Sequence, residues 1–487
     1  MSRLNFGAPA AERDINEGLD DYFVESEAFR RVAAGRKTVV LGNRGTGKSA
    51  IFKVIAARDR HAGKTVIELA PEDYSYEMLS KVMLQESAGS WAKTGAYTVA
   101  WKYLIYLLVM KDLTRKGQRL KTGPARDVYR YLRDHHEDMA DNPIGQLISF
   151  MKRLEGVKVG NYEASLKTRE LDRLYRLEEL EPLLPKLDEL CSKANVRVFV
   201  DELDRGWDAS EDAQGFVAGL FQACISINNR HPNLRVTMSL RQELYDSIPT
   251  LYEDAQKYRD LIEILAWDEP LLLELSANRI RHSVPGLRGE NDEAAWGAVF
   301  AETLEYRQTK SFNYMVDRTL YRPREMIQFC TQCVEEKSKM HADLPINYSV
   351  VTGAEQNYSE ERCRDLASEY RFQYPGLLEV FNVFRGRVYL FDRDEIEELC
   401  LRMATGEVKV GNAAVWVADR DPDQLVEILW RVGFLRAQAV GGIKARRRSG
   451  STYLGPHQIS NLNLDNLGRF HIHPMFRAYL GTKEPKS

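Results

Sequence analysis

Short apolar runs recur through the first 270 residues of the chain, and their pattern predicts the strands of a parallel sheet. The runs are rich in β-branched residues and nearly continuous in apolar character, as in strands that helices cover on both faces. Helix-type sequence separates them, which is typical of α/β folds. The predicted strands, in chain order, are 37–41, 65–69, 196–200, 234–240 and 261–266.

A charged segment of helical character lies between the second and third predicted strands. It runs from about 72 to 195 and predicts a helical insertion in the sheet domain. Its most apolar window, 96–110, is interrupted by Lys102 and closed by Lys111. This window is too short for a membrane span of about 20 residues. It therefore predicts a buried helix or, alternatively, a contact surface for a partner, and no membrane span.

Residues 351–487 have a different character and predict a winged-helix-like domain. Asp421 fits an N-cap, and the predicted helices are 360–370, 393–403 and 421–432. Two further runs, 434–437 and 451–454, predict strands joined by a glycine-rich loop. The loop has no acidic residue and carries four basic ones, which are Lys444, Arg446, Arg447 and Arg448. This charge predicts either a contact with nucleic-acid phosphates or a solvated basic surface.

Composition narrows the class of protein. The 68 basic and 71 acidic residues nearly balance, so any nucleic-acid binding has to be local. Six cysteines without a disulfide framework, and an N-terminus without an apolar signal region, predict a reducing, cytoplasmic setting. The pairs Cys330/Cys333 and His471/His473 lack further ligands nearby in the sequence, and we interpret them as structural rather than metal-binding.

The strongest motif follows the first predicted strand. The eight residues 42–49 read GNRGTGKS, with the spacing G-x-x-x-x-G-K-S, and helix-forming sequence follows. Glycines allow backbone N–H groups to surround a polyphosphate, the lysine reaches the outer phosphates, and the serine hydroxyl binds Mg²⁺. The predicted ATP-binding residues are Gly42, Asn43, Arg44, Gly45, Thr46, Gly47, Lys48, Ser49 and Ala50.

The third predicted strand ends in two carboxylates, Asp201 and Glu202. In open parallel sheets, ligands bind at the carboxyl ends of the strands. Asp201 is predicted to bind Mg²⁺ together with Ser49, and Glu202 to polarise the attacking water. The two motifs together predict an ATPase.

Two further positions are predicted to sense the nucleotide. In a P-loop core with an additional strand, the strand between the phosphate loop and the Mg²⁺ strand ends near the γ-phosphate. The run 234–240 is the candidate, which makes Ser239 or Arg241 the sensor. Arg324, at the start of a helix that Pro323 opens, is predicted to reach the phosphates across a cleft.

The order of these elements resembles that of bacterial P-loop ATPases related to the AAA+, STAND and KAP ATPases. The segments that carry the resemblance are GNRGTGKS, VFVDELDRGWD, VTMSLRQELYDS, IEILAWDEPLLLELSANRI, YRPREMIQFC and FHIHPMFRAYL. The resemblance implies an additional-strand catalytic glutamate core, a helical lid and a winged-helix C-terminus. It implies catalytic roles for Lys48, Glu202 and Arg241, a lid role for Arg324, and for Arg205 an action across a subunit interface.

The predicted domains follow from this comparison. They are a leader at 1–35 packing on the core, an ATPase core at 36–270 with the insertion at 72–195, a helical lid at 271–350, and the winged-helix-like domain at 351–487.

Relatives of this type often occur in bacterial anti-phage defence. The leading hypothesis is therefore a molecular switch that hydrolyses ATP with Mg²⁺ and couples nucleotide state to homo-oligomerisation or to a separate effector protein. The alternative is a DNA-associated motor or loader that uses the basic loop. A third hypothesis, a scaffold that binds ATP without hydrolysing it, fits poorly with the intact Asp201 and Glu202.

Overall fold

The structure is a computed structural model of the whole chain. It describes residues 4–70, 90–115, 122–136, 180–204, 207, 209–252, 255–305, 308–438, 453–456, 458, 463–464 and 467–485. The chain divides into two compact units, one formed by Glu25–Leu265 and the other by Met1–Val24 with Ala266–Ser487. The first 24 residues thus fold with the C-terminal part of the chain. The four predicted domain boundaries stay a prediction.

The unit Glu25–Leu265 contains a five-stranded parallel sheet. Its strands are β1 (Val39–Leu41), β2 (Val66–Leu69), β3 (Val196–Val200), β4 (Leu234–Leu240) and β5 (Ile262–Ile264). Their order in the sheet is β2-β3-β4-β1-β5, and every pairing is parallel. The strand prediction is confirmed, with β3 and β4 at the predicted bounds. The predicted insertion of one strand between the loop strand and the Asp201 strand is also confirmed, because β4 lies between β1 and β3.

Helices belong to the same unit as this sheet, and its central strands β1, β3 and β4 are largely buried. The helices are Glu27–Ala33, Lys48–His61, Ser90–Leu113, Pro124–His136, Leu184–Ala194, Glu211–Arg230, Gln242–Ser247, Pro249–Tyr252 and Ala255–Tyr258. Ser210 caps Glu211–Arg230 by accepting a hydrogen bond from the Ala213 N–H at 3.1 Å.

The apolar window at 96–110 forms most of the helix Ser90–Leu113, and its side chains are largely buried, as predicted. This helix packs closely on Glu211–Arg230. A Cβ atom on Gly219 would lie 2.5 Å from Tyr97 Cβ and 2.8 Å from the Thr98 backbone nitrogen. Trp101 Nε1 donates to the Phe216 carbonyl oxygen at 3.1 Å. The helices therefore approach at a distance that only glycine permits at position 219. The rest of the predicted insertion lies largely outside the described residues.

The second unit combines helices with short strands. Its helices are Ala11–Asp14, Glu269–Ser283, Asp292–Gly297, Ser311–Val316, Pro323–Lys339, Tyr348–Glu369, Leu377–Asn382, Arg393–Ala404, Pro422–Arg431 and Pro474–Leu480. Asp268 caps Glu269–Ser283 by accepting a hydrogen bond from the Leu271 N–H at 3.0 Å. The strands are β6 (Thr303–Leu304), β7 (Thr309–Lys310), β8 (Leu390–Asp392), β9 (Leu435–Gln438), β10 (Tyr453–Leu454) and β11 (Arg469–Ile472).

Four of these strands form an antiparallel sheet in the order β10-β9-β11-β8. The two predicted strands correspond to β9 and β10, whereas β8 and β11 were not predicted. Asp421 is the N-cap residue of the helix Pro422–Arg431, as predicted, although its side chain makes no capping hydrogen bond. The winged-helix assignment stays a prediction. The four basic loop residues lie outside the described residues: Lys444, Arg446, Arg447 and Arg448.

A buried ion pair fastens the N-terminal segment within this unit. Arg279 Nη2 pairs with Asp14 Oδ2 at 2.7 Å, and Tyr22 Oη donates to Asp14 Oδ1 at 2.8 Å. Gly7, at φ 73°, runs so close that an added Cβ would lie 2.5 Å from both Arg279 Nη1 and Asp14 Oδ1. Because a buried carboxylate needs such partners, this cluster explains why residues near the N-terminus pack against Glu269–Ser283.

The residues interpreted as structural have protein partners. Cys330 and Cys333 are fully buried in Pro323–Lys339, and burial raises the pKa of both thiols. Arg436 Nη2 contacts His473 Nε2 at 2.7 Å, and Arg477 Nη2 contacts His471 Nδ1 at 3.1 Å. In the part of the chain that the structure describes, no helix is both long and apolar enough to cross a bilayer.

Candidate nucleotide-binding site

The segment Gly42–Ser49 forms a tight loop between a strand and a helix, as its spacing predicts. β1 ends at Leu41, and the helix begins at Lys48. Gly45 and Gly47 have φ values of 85° and 94°, in the left-handed region that glycine adopts without a Cβ penalty. The loop therefore turns its backbone at the N-terminus of a 14-residue helix, where N–H groups and the helix dipole favour an anion.

The first glycine of the loop is required by close packing. A Cβ atom on Gly42 would lie 2.5 Å from Thr46 Oγ1 and 3.3 Å from Leu265 Cβ. Thr46 Oγ1 donates to the Asn43 carbonyl oxygen at 2.9 Å, which closes the loop on itself. Any larger residue at position 42 would displace this hydrogen bond.

Lys48 reaches back over the loop. Its Nζ donates to the carbonyl oxygens of Gly42 at 2.7 Å and Asn43 at 3.0 Å. Desolvation lowers the pKa of this lysine to about 8, and the negative charges of Glu243 and Asp201 limit the fall. An incoming phosphate would add further negative charge beside Lys48 and stabilise its protonated form.

Asp201 is oriented by two hydrogen bonds at the carboxyl end of β3. Its Oδ1 accepts from the Ser239 hydroxyl and from the Glu202 backbone N–H, the latter at 2.9 Å. Ser239 lies on the neighbouring strand β4, paired in register with Val40 of β1. These two hydrogen bonds both go to Oδ1. Carboxylate oxygens are ligands through which proteins hold Mg²⁺, so Asp201 fits that ion.

Glu202 has a strained backbone. Its φ is 59°, in the left-handed region that costs a residue with a Cβ about 1–2 kcal/mol. Strained residues persist where the surrounding structure holds them, and they concentrate at functional sites. The strain occurs at the residue that the sequence predicts as the catalytic base.

Arg241 follows β4 and forms two ion pairs. Its Nη2 pairs with Asp204 Oδ2, and its Nη1 lies 3.6 Å from Glu243 Oε1. Glu243 is buried in the first turn of Gln242–Ser247, and its charge is the largest one that raises the pKa of Lys48. Sequence reasoning missed Glu243. Its signal was an acid two positions after Arg241, where the chain leaves the sheet edge that carries the site.

The structure brings Lys48, Asp201, Ser239 and Arg241 together. Ser49 and Ala50 lie in the first turn of the loop helix. Arg205 lies outside the described residues. Arg324 belongs to the second unit, where its Nε donates to the Pro9 carbonyl oxygen at 3.3 Å. The functional roles of all these residues stay predictions.

Comparison with known proteins adds to this geometry. Residues 5–76 match the ORC-CDC6-like family, and residues 270–367 match the FunZ-associated C-terminal helical domain. The putative transposon gamma-delta 80.3 kDa protein of Escherichia coli (strain K12) is 26% identical over 387 residues, which are 78% of this chain and 53% of that protein. The chain thus spans about half the length of this curated relative. The solved structure of the Aeropyrum pernix ORC2 protein, in ADPNP-ADP complexes, aligns with a TM-score of 0.36 and 11% identity, covering 96% of this chain and 92% of that chain.

The ORC-CDC6-like match includes the whole loop Gly42–Ser49. Together with the parallel five-stranded sheet, it supports an AAA+-like P-loop fold with a nucleotide-binding site. The predicted similarity to AAA+-type ATPases is therefore confirmed at this level. The more specific relationship to STAND and KAP ATPases stays a prediction.

Proposed function

We propose that the chain binds and hydrolyses ATP and acts as a nucleotide-dependent molecular switch. The observation that carries this proposal is the meeting of Lys48, Asp201 and Arg241 at the carboxyl ends of β1, β3 and β4. These three strands are neighbours in the sheet, and ligands of parallel sheets bind at this edge.

Each residue has a role that follows from its position. The loop N–H groups and Lys48 bind the phosphates, while Asp201 and Ser49 hold Mg²⁺, which neutralises phosphate charge when bound. Glu202 orients a water and accepts its proton as the water oxygen bonds to the terminal phosphorus. The bond from that phosphorus to the bridging oxygen then breaks, and ADP and inorganic phosphate leave. Arg241 stabilises the charge on the phosphate oxygens.

The switch couples the nucleotide to assembly or to a separate effector protein. Arginines such as Arg205 and Arg324 would make this connection by binding nucleotide from a neighbouring subunit or domain. A role in anti-phage defence, which the family resemblance implied, remains part of the proposal.

Mass measurements on the wild type and Glu202→Gln test the switch. Size-exclusion chromatography with light scattering, with and without Mg·ATP, is expected to show nucleotide-dependent assembly that persists in the variant, because it binds ATP without hydrolysing it. A monomer under every condition would contradict switching by self-assembly. Normal hydrolysis by Glu202→Gln would refute Glu202 as the base.

Titration calorimetry tests the site itself. Lys48→Ala is expected to lose Mg·ATP binding, because its ammonium group is the cation that reaches back over the loop. Lys53→Ala is the matched control, since Lys53 lies on the same helix but pairs with Glu68 at 2.5 Å. Equal binding by both variants would refute the assignment of the loop.

A DNA-associated ATPase is the second candidate. It is favoured by the ORC-CDC6-like match and by the transposon relative, whose name refers to a mobile element. This function predicts DNA-stimulated hydrolysis and salt-dependent DNA binding. Replacing Lys444, Arg446, Arg447 and Arg448 with glutamine should abolish the binding, and unchanged DNA affinity in that variant would exclude the loop as the contact.

A further inference from the structure

A group of three charged residues lies beside the phosphate loop and has no role in the hydrolysis just described except through Arg241. The three are Asp204 after β3, Arg241 after β4, and Glu243 in the following helix. Arg241 is bound on two sides, by Asp204 through Nη2 and by Glu243 through Nη1. We call this group the arginine clamp.

The two acidic partners differ in accessibility. The Asp204 side chain is 24% exposed, whereas that of Glu243 is 7% exposed. Glu243 is also held in a helical turn, while Asp204 lies in the segment that follows β3. An anion that approaches from solvent therefore competes more readily with Asp204 than with Glu243.

The clamp is close enough to the loop to act on the same ligand, because Gly42 and Arg241 directly follow Leu41 and Leu240, which are paired in register. The charges of Glu243, Asp201, Asp204 and Arg241 all influence the pKa of Lys48. In this group three carboxylates face two cations, so a phosphate that enters beside Lys48 is repelled unless one acidic partner moves or a cation is added. The arginine is the natural exchange point, because guanidinium binds phosphate and carboxylate oxygens with the same geometry.

We propose that the terminal phosphate of ATP replaces Asp204 on Arg241 while Glu243 stays in place and keeps the arginine at the site. This exchange rests on the proposed ATP-binding function and deepens it, because it makes Asp204 the residue that limits the preference for ATP over ADP. ADP lacks the terminal phosphate and leaves the Arg241–Asp204 pair intact. Asp204 and Glu243 are positioning residues, since each acts through Arg241.

The test measures the dissociation constants of Mg·ATP and Mg·ADP by titration calorimetry. Asp204→Asn is expected to raise the ratio of the ADP constant to the ATP constant by about three- to tenfold, the range for a partly exposed charged pair. Asp246→Asn, a control on the same helix as Glu243, removes an equal charge from an exposed carboxylate that pairs with Gln242, and should leave the ratio unchanged.

Glu243→Gln separates exchange from a general charge effect. It removes the same charge at a similar place, so simple electrostatics would raise the ratio equally in both variants. Exchange requires a clearly larger rise for Asp204→Asn, and equal rises would overturn it. In an Arg241→Ala background, Asp204→Asn is expected to have no effect on the ratio, because its effect passes through the arginine.

The two levels of the proposal fail differently. Absence of Mg·ATP binding by the wild type would overturn the proposed function and the clamp with it. Normal ATP binding by the wild type, with the same ADP-to-ATP ratio in Asp204→Asn, would overturn the clamp alone. If the ion pair is purely structural, Asp204→Asn would have a lower unfolding temperature than the wild type and an unchanged ratio of the ADP and ATP dissociation constants.

Discussion

The affinity for ATP should fall as the pH rises through about 8, because the loop lysine loses its proton there. Desolvation lowers the pKa of Lys48 from the ordinary lysine value to about 8. Bound phosphate favours the protonated form, so binding above this pH takes up a proton. Below about pH 8, Lys48 is already protonated in the free protein, so its protonation no longer changes the affinity for ATP.

The size of the effect follows from this pKa. At pH 7 about nine tenths of the molecules carry a protonated Lys48, and at pH 9 about one tenth do. The dissociation constant for Mg·ATP is therefore expected to rise about tenfold per pH unit above 8, until it reaches the higher pKa that Lys48 has in the complex.

Titration calorimetry between about pH 7.5 and 9.5 measures this dependence, in a range where the phosphates of ATP are fully ionised. Repeating each titration in two buffers of different ionisation enthalpy counts the protons taken up. Lys48→Arg is the control, because arginine keeps its charge and should show no break near pH 8.

A second variant tests the cause of the break. Glu243→Gln removes the negative charge that most raises the pKa of Lys48, so the break should move to lower pH. A constant affinity of the wild type up to about pH 9.5, with no proton uptake, would refute the reasoning about Lys48.

Three further predictions concern the sheet and its surroundings. Gly219→Ala places a Cβ 2.5 Å from Tyr97 Cβ, so it should lower the free energy of unfolding by about 1–3 kcal/mol in a denaturant titration. Gly297→Ala is the control, because nothing lies within 4 Å of its added Cβ, and it should change the free energy of unfolding by under about 1 kcal/mol. Similar losses in both variants would contradict the packing argument. Ser239→Ala removes the hydroxyl that orients Asp201, so the Mg²⁺ concentration for half-maximal ATP hydrolysis should rise about tenfold, and an unchanged Mg²⁺ dependence would show that the hydrogen bond is dispensable. The Arg436 guanidinium holds the pKa of Asp317 at about 2, so the ion pair contributes fully to stability above the ordinary aspartate pKa and loses that contribution as the pH falls towards 2. The urea midpoints of the wild type and Asp317→Asn should therefore converge over that pH range. A constant difference between the two midpoints would contradict the ion pair.

The local parts of the site could be predicted because the residues that form each part are close together in the sequence. The loop needs its glycines, Lys48 and Ser49 in one short segment between a strand and a helix. Asp201 and Glu202 directly follow an apolar run that had the length and burial of β3. In such features, residues that are close in the sequence are also close in the structure, so a short motif identifies them.

The parts that depend on packing could not be predicted in the same way. Glu243 has no motif of its own, and its importance comes from burial near Lys48 and Arg241. The strands β8 and β11 are short and pair with partners distant in sequence, so they carry weak local signals. Asp421 occupies the predicted N-cap position without a side-chain capping hydrogen bond, since an aspartate before a proline-led helix permits that bond but does not enforce it.

The amino-acid sequence by itself determined the parallel-sheet class, the positions of its five strands and the phosphate loop. It did so because apolar periodicity and the backbone demands of glycine act over a few residues. Only the tertiary structure decided which side chains meet at the sheet edge that carries the site, where Ser239 donates to Asp201 and Arg241 pairs with Asp204. It also joined the first 24 residues to the C-terminal unit, through an ion pair between Asp14 and Arg279. Contacts of this kind depend on which distant segments bury surface together, and no local pattern specifies that choice.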